Sequence, residues 1–221
     1  LGGSFNPIHR CHLSIARSAR QLLQLDRVLF IPTGDPPHKQ PGTLATASHR
    51  HRMVQLAIED TPEFALTDLE IRRSGKSYSI DTVRAIQQEY GPDTVLFFII
   101  GLDAFLDLPS WKEADTLLKS CHFVVISRPS TSFQAMAAIP LFRDVPQTTL
   151  TALDEVRQER ADVAITNGQA LTFRRLPPCD VSASEIRARL RSGASLANLL
   201  PTPVESYILR EELYREDSER L

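Results

Sequence analysis

The chain has 221 residues, with 25 lysines and arginines against 27 aspartates and glutamates, a formal net charge of −2. Such a length can bury a substantial core in one domain, and the balanced charge, with no dense Lys/Arg block, argues against a nucleic-acid surface. The longest apolar runs, Val95 to Ile100 and Phe123 to Ile126, are too short to cross a bilayer, which excludes a membrane-spanning role. Three widely spaced cysteines, Cys11, Cys121 and Cys179, contain no Cys-x-x-Cys and cannot all be used in one disulfide framework. With no signal peptide in view, the expected compartment is the cytoplasm.

The chain opens on Leu1-Gly2-Gly3-Ser4-Phe5-Asn6-Pro7-Ile8-His9-Arg10-Cys11-His12, and a helix-like run from Leu13 to Leu25 follows. A strand feeding this Gly-Gly turn predicts further apolar residues ahead of Leu1. Glycines let a phosphate approach the backbone closely, and the free N–H groups of a helix start favour an anion. His9 and His12, three residues apart, share one helix face. The segment is neither a Walker A loop nor a Rossmann fingerprint, because the glycine spacing fits neither. It is still a place to hold a phosphate while charge builds on it.

Val28 to Pro32 reads as a strand and Ser48 to Glu59 as a helix. Phe64 to Ile71 reads as a strand, Ile80 to Tyr90 as a helix, and Val95 to Ile100 as a strand central enough to need no polar alternation. Lys112 to Lys119 is helical in spacing and His122 to Ser127 is strand-like. This alternation predicts an α/β fold: a Rossmann-like, doubly wound parallel sheet with helices on both faces. Residues 129–160 break the rhythm and are expected to form a peripheral insertion of helices and loops. Val163 to Thr166 and Leu171 to Leu176 follow as strands. A helix from Ser184 to Arg191, stopped by Gly193, and a terminal helix from Pro203 to Leu213 make a small C-terminal helical part.

In such sheets ligands bind beyond the carboxyl ends of the strands. The loops to watch are therefore Gly2 to His12, Thr33 to Gln40, Gly101 to Asp107, Ser127-Arg128 and Asp180 to Arg187. The last of these places Ser182 and Glu185 at capping-box spacing. Arg187 follows in the first turn, where the helix dipole repels a cation. That conflict makes sense if an anion sits between Arg187 and the helix end.

These segments carry a resemblance to a known family. Residues 2–12 are similar to the extended signature Gly-Gly-Thr/Ser-Phe-Asp/Asn-Pro-x-His-x-Gly-His of the nucleotidylyltransferase superfamily, with Cys11 where the family has glycine. Val181-Ser182-Ala183-Ser184-Glu185-Ile186-Arg187 resembles its second signature, in the version of bacterial nicotinate-nucleotide adenylyltransferases. Pro36-Pro37-His38-Lys39, Ser77-Tyr78-Ser79-Ile80-Asp81-Thr82, and Gly101-Leu102-Asp103 with Leu108-Pro109-Ser110-Trp111-Lys112 look like further segments of that family, in its order. The likeness spans nearly all of residues 1–221 as one nucleotidylyltransferase domain, with residues 184–221 as C-terminal helices carrying the second signature. It is weakest across residues 129–160.

The resemblance implies transfer of AMP from ATP to nicotinic acid mononucleotide, releasing pyrophosphate and forming deamido-NAD. It implies His9, His12 and Arg187 as catalytic groups. Gly2, Gly3, Ser4, Phe5, Gly101, Asp103, Arg128, Ser182 and Ser184 would serve ATP. Asn6, Lys39, Tyr78, Ser79 and Trp111 would serve the mononucleotide, with Trp111 stacking on the pyridine ring. Mg²⁺ would travel with the nucleotide and water, since the sequence offers no dedicated carboxylate cage. Two alternatives stay open at this level: another phosphate acceptor such as nicotinamide mononucleotide, and a catalytically impaired nucleotide-binding protein of the same fold. The second arises from Cys11, whose thiol at a helix N-terminus beside histidines is expected to ionise readily and repel phosphate.

Overall fold

The structure is a computed structural model and describes residues 1–36, 44–127, 131–143, 145–165, 169–176 and 179–215. In chain order, β1 (Gly2–Gly3), α1 (Arg10–Leu23), β2 (Val28–Pro32), α2 (Ala47–Ile58), β3 (Phe64–Leu66) and α3 (Leu69–Arg72) come first. Then follow α4 (Ser79–Tyr90), β4 (Phe97–Gly101), α5 (Leu102–Leu106), α6 (Ala114–Ser120) and β5 (His122–Ser127). The chain closes with α7 (Gln147–Asp154), β6 (Arg160–Ala164), β7 (Ala170–Arg175), α8 (Ala183–Ser192) and α9 (Thr202–Arg210). Short 3₁₀ turns cover Leu108–Ser110, Phe133–Ala138 and Pro140–Phe142.

These elements form two compact units, one of Leu1–Ser77 with Asp180–Leu221 and one of Tyr78–Cys179. In the first, β1, β2 and β3 pair in that order and in parallel, with Gly2 opposite Ile31 and Val28 opposite Phe64. Phe5, Phe30 and Phe64 form a chain of ring contacts at 5.9 and 5.2 Å within it. Helix α1 buries Cys11, Leu13, Ala16 and Ala19, the last three at the three-residue spacing of one helical face. In the second unit the strand order is β4-β5-β7-β6; β4, β5 and β7 are parallel and β6 returns antiparallel to β7.

Three expectations change. Strand β3 is only three residues long, and the chain turns at once into α3. The reason is local: Thr67 Oγ1 accepts the Leu69 N–H at 3.3 Å, and Arg72 pairs with Asp68 at 2.9 Å across one helical turn. Side-chain bonds of this kind offer the backbone an alternative to a ladder. Strand β4 starts at Phe97, with Val95 left 65 % exposed, and the strand buried without interruption after its first residue is β5.

Within the stretch expected to be a peripheral insertion, the described residues 131–143 and 145–160 contribute side chains to a core. Phe133, Met136, Phe142, Leu150 and Leu153 are all buried and belong to the same core cluster as Phe105, Phe123 and Phe173. Asp154, at the end of α7, accepts the N–H groups of Phe133 at 2.8 Å and Gln134 at 3.0 Å. Leu150→Ala is therefore expected to cost about 2–5 kcal/mol in urea unfolding, the range for emptying a core site. A change within about 0.5 kcal/mol, typical of a surface residue, would restore the peripheral view.

Candidate functional site

The opening segment is held from beneath by a buried cation. Arg50 of α2 is 1 % exposed, and its guanidinium donates to the carbonyls of Ser4 at 2.9 Å, Ala45 at 3.0 Å and Gly34 at 3.3 Å. Burial lowers its pKa, while Tyr214 and Glu70 act in the opposite direction. A buried guanidinium is tolerated when its donors are satisfied, and three carbonyls from three chain segments do this here. Gly34 is glycine for a steric reason, since a Cβ there would collide with the Glu70 carbonyl.

Above this staple the backbone turns sharply. Phe5 adopts φ +44°, a left-handed conformation costing a non-glycine residue roughly 1–2 kcal/mol. Its ring is buried and meets the His12 ring edge-on at 5.1 Å, so the Phe5 side chain supports an imidazole. His9 is the N-cap of α1 and 2 % exposed. The His9 and His12 rings lie 3.8 Å apart between centroids, and His12 Nδ1 accepts the His9 N–H at 3.2 Å. With Nδ1 occupied as an acceptor, neutral His12 carries its proton on Nε2 and presents a donor there.

Helix α8 brings the second signature to the first. Ser182 caps it, its Oγ accepting the Glu185 N–H at 3.1 Å; the Glu185 carboxylate goes to Arg189 at 2.8 Å instead of completing a capping box. Arg187 donates from Nη1 to the Asn6 carbonyl at 2.7 Å and from Nη2 to Ser184 Oγ at 3.2 Å. Within the first unit, the guanidinium and the Ser184 hydroxyl are thus tied to the segment that carries the imidazoles. Asn6, expected to meet the mononucleotide, is 2 % exposed, and its Oδ1 accepts from the Ala45 N–H and the Tyr214 hydroxyl, each at 2.9 Å. Through that oxygen Asn6 braces the opening segment against Ala45 and Tyr214.

The second unit holds the other expected residues. Gly101 caps α5, and the Asp103 carboxylate lies in the space a Cβ at Gly101 would occupy. Tyr78 is the N-cap of α4 and Ser79 its first residue. The Lys112 ammonium stands 4.9 Å from the Tyr78 ring centroid and is tied to Asp81 at 2.9 Å. Trp111 ends the 3₁₀ turn Leu108–Ser110, donating its N–H to Leu108 at 2.9 Å, and is half-buried with its edge toward Phe98 at 6.3 Å. Lys39 and Arg128 lie outside the described residues.

The expected thiolate is absent. Cys11 is disulfide-bonded, as is Cys179, and a disulfide sulfur does not ionise. Cys121 is the free one, buried, with its thiol pushed up to about 12 by burial. Among the described residues no group of three or more His, Cys, Asp or Glu could hold a metal ion, and no helix is long and apolar enough to cross a membrane. Hydroxyl, imidazole and guanidinium donors suit phosphate oxygens better than they suit a cation.

Sequence reasoning missed Arg50 and Tyr214. The first had a signal: a charge in register with Met53, Val54 and Ile58 on the buried face of α2. The second had none.

The cytidylyltransferase-like family model matches residues 1–189. The chain is 41 % identical over 98 % of its length to a probable nicotinate-nucleotide adenylyltransferase of Geobacter metallireducens, covering 97 % of that protein. To the protein of the same name from Moorella thermoacetica it is 36 % identical, covering 97 % of this chain and 90 % of that one. In fold it is similar to Plasmodium falciparum nicotinic acid mononucleotide adenylyltransferase complexed with NaAD, with TM-score 0.70, 20 % identity, and 96 % and 94 % of the two chains covered.

The cysteine assignment can be counted directly. Unreduced, denatured protein is expected to titrate one thiol per chain and fully reduced protein three; three thiols before reduction would contradict it.

Proposed function

Because the chain belongs to the nicotinate-nucleotide adenylyltransferases, within the cytidylyltransferase-like family of nucleotidyltransferases, we propose that it transfers AMP from ATP to nicotinic acid mononucleotide, releasing pyrophosphate and forming deamido-NAD. The observation that carries this reading is the 2.7 Å bond from Arg187 to Asn6, which sets a guanidinium beside the segment that displays His9 and His12.

The chemistry asks for alignment and charge compensation. The mononucleotide phosphate is already an anionic nucleophile, so no base is required to generate it. One of its oxygens forms the new bond to the α-phosphorus of ATP. The bond from that phosphorus to the bridging oxygen breaks, and its electron pair leaves with pyrophosphate. His9 and His12, the latter through Nε2–H, donate to the phosphate oxygens with Ser4 and backbone N–H groups of the opening segment. Arg187 and Ser184 hold the leaving pyrophosphate. Ser4 and the small residues Gly2 and Gly3 line the approach, while the buried Phe5 ring keeps His12 in place.

Gly101, Asp103, Ser182 and Arg128 serve the nucleotide in this reading. Tyr78, Ser79 and Trp111 receive the pyridine, where N–H donors favour a carboxylate, which accepts and cannot donate, over a carboxamide. Lys39 joins the mononucleotide side. A divalent cation, Mg²⁺ carried on the triphosphate, supplies further charge neutralisation there. All 221 residues serve this one activity, placed in the cytoplasm.

Incubation with Mg-ATP and either mononucleotide is expected to release pyrophosphate with the nicotinate form and not with the amide. Release with neither would refute the reading, and equal release with both would refute the acid preference. His12→Ala and Arg187→Ala should each lower kcat by roughly 10²–10³-fold, the scale for losing one preorganised donor to a developing charge. Losses under threefold would remove these residues from the site.

A further inference from the structure

Outside the two signatures, a residue near the end of the described chain also bonds the opening segment. After α9 the backbone passes through two left-handed residues, Glu212 (φ +51°) and Tyr214 (φ +66°), neither of them glycine. Side-chain-bearing residues adopt this conformation when the surroundings dictate it, and such places gather at functional sites. Here the dictated result is specific. The Tyr214 hydroxyl donates to Asn6 Oδ1 at 2.9 Å, 208 positions away in sequence.

Asn6 is the shared acceptor of three donors. Its Oδ1 takes Tyr214 and the Ala45 N–H, and its main-chain carbonyl takes Arg187 at 2.7 Å. An amide oxygen with both lone-pair directions in use cannot rotate freely, so the peptide that bears the Arg187 acceptor is fixed with it. Burial drives the Tyr214 hydroxyl well above its ordinary pKa, against the pull of the Arg187 and Arg50 charges, so it remains a donor at any working pH.

We propose that Tyr214 is a positioning residue: by holding the Asn6 amide it sets the Arg187 guanidinium in the orientation that grips the triphosphate. Tyr214 lies past residue 189, where the family match ends. It touches no reacting atom itself, and its effect passes through Asn6 to Arg187.

The role makes a claim that simple structural support does not, because it must vanish when Arg187 is gone. Tyr214→Phe deletes the hydroxyl and keeps the ring. This variant is expected to lose about tenfold in kcat/KM for ATP and about tenfold in affinity for a non-hydrolysable ATP analogue by calorimetry, with a cooperative melt within a few degrees of the parent. In an Arg187→Ala background the same change should alter analogue affinity by less than twofold. An equal loss in both backgrounds, no loss in either, or a variant without a cooperative melt would each overturn the proposal. The calorimetry also separates this inference from the triphosphate site on which it rests. An unmodified protein that binds no analogue refutes the site; binding that Tyr214→Phe leaves unchanged refutes only Tyr214.

Discussion

One hydrogen bond ties the opening segment to helix α8: Arg187 to the Asn6 carbonyl, 181 positions apart in sequence. A charged donor to a largely buried carbonyl is among the stronger single bonds a protein makes, worth about 1.5–3 kcal/mol net. Its geometric consequence is larger than its energy. It places Arg187, one turn into α8, against the segment that carries His9 and His12. The Asn6 carbonyl and the Ser184 hydroxyl fix the guanidinium there. A guanidinium has five N–H donors, so these two partners leave others for an anion.

The rest of the first unit reads as support for that bond. Arg50 ties the carbonyl of Ser4, just upstream of Asn6, to two other segments. Phe5 accepts a left-handed backbone and puts its ring into the core, where it meets His12. Ser182 ends the loop before α8 at a fixed residue and so sets where Arg187 falls along the helix. Each is a packing or capping arrangement of ordinary strength. Together they hold imidazole and guanidinium donors with little freedom to reorganise, which is how donors stabilise developing charge.

Much of this was legible in the sequence because the signals were local. Helix α8 shows its cap at Ser182 and its stop at Gly193, and the structure places both there. Strands β2 and β5 match their apolar runs residue for residue. What failed was non-local or irregular. The buried residues Phe133, Met136 and Phe142 sit on 3₁₀ turns, whose spacing matches neither helix nor strand period, so the segment looked peripheral. β3 was read too long because Thr67 and Asp68 look strand-compatible until their side chains bond the next turn. Arg50 was readable as a charge on an apolar helix face. Tyr214 was not, because no spacing rule connects residue 214 to residue 6. Nor does spacing tell that Asn6 Oδ1 would be met by two donors from distant segments.

The most direct test is a crystal structure of the protein with a non-hydrolysable ATP analogue and Mg²⁺. The account predicts triphosphate oxygens within hydrogen-bonding distance of His12 Nε2, Ser184 Oγ and the Arg187 guanidinium in one bound molecule. A triphosphate that touches the histidines and leaves Arg187 facing solvent, or the reverse, would contradict it.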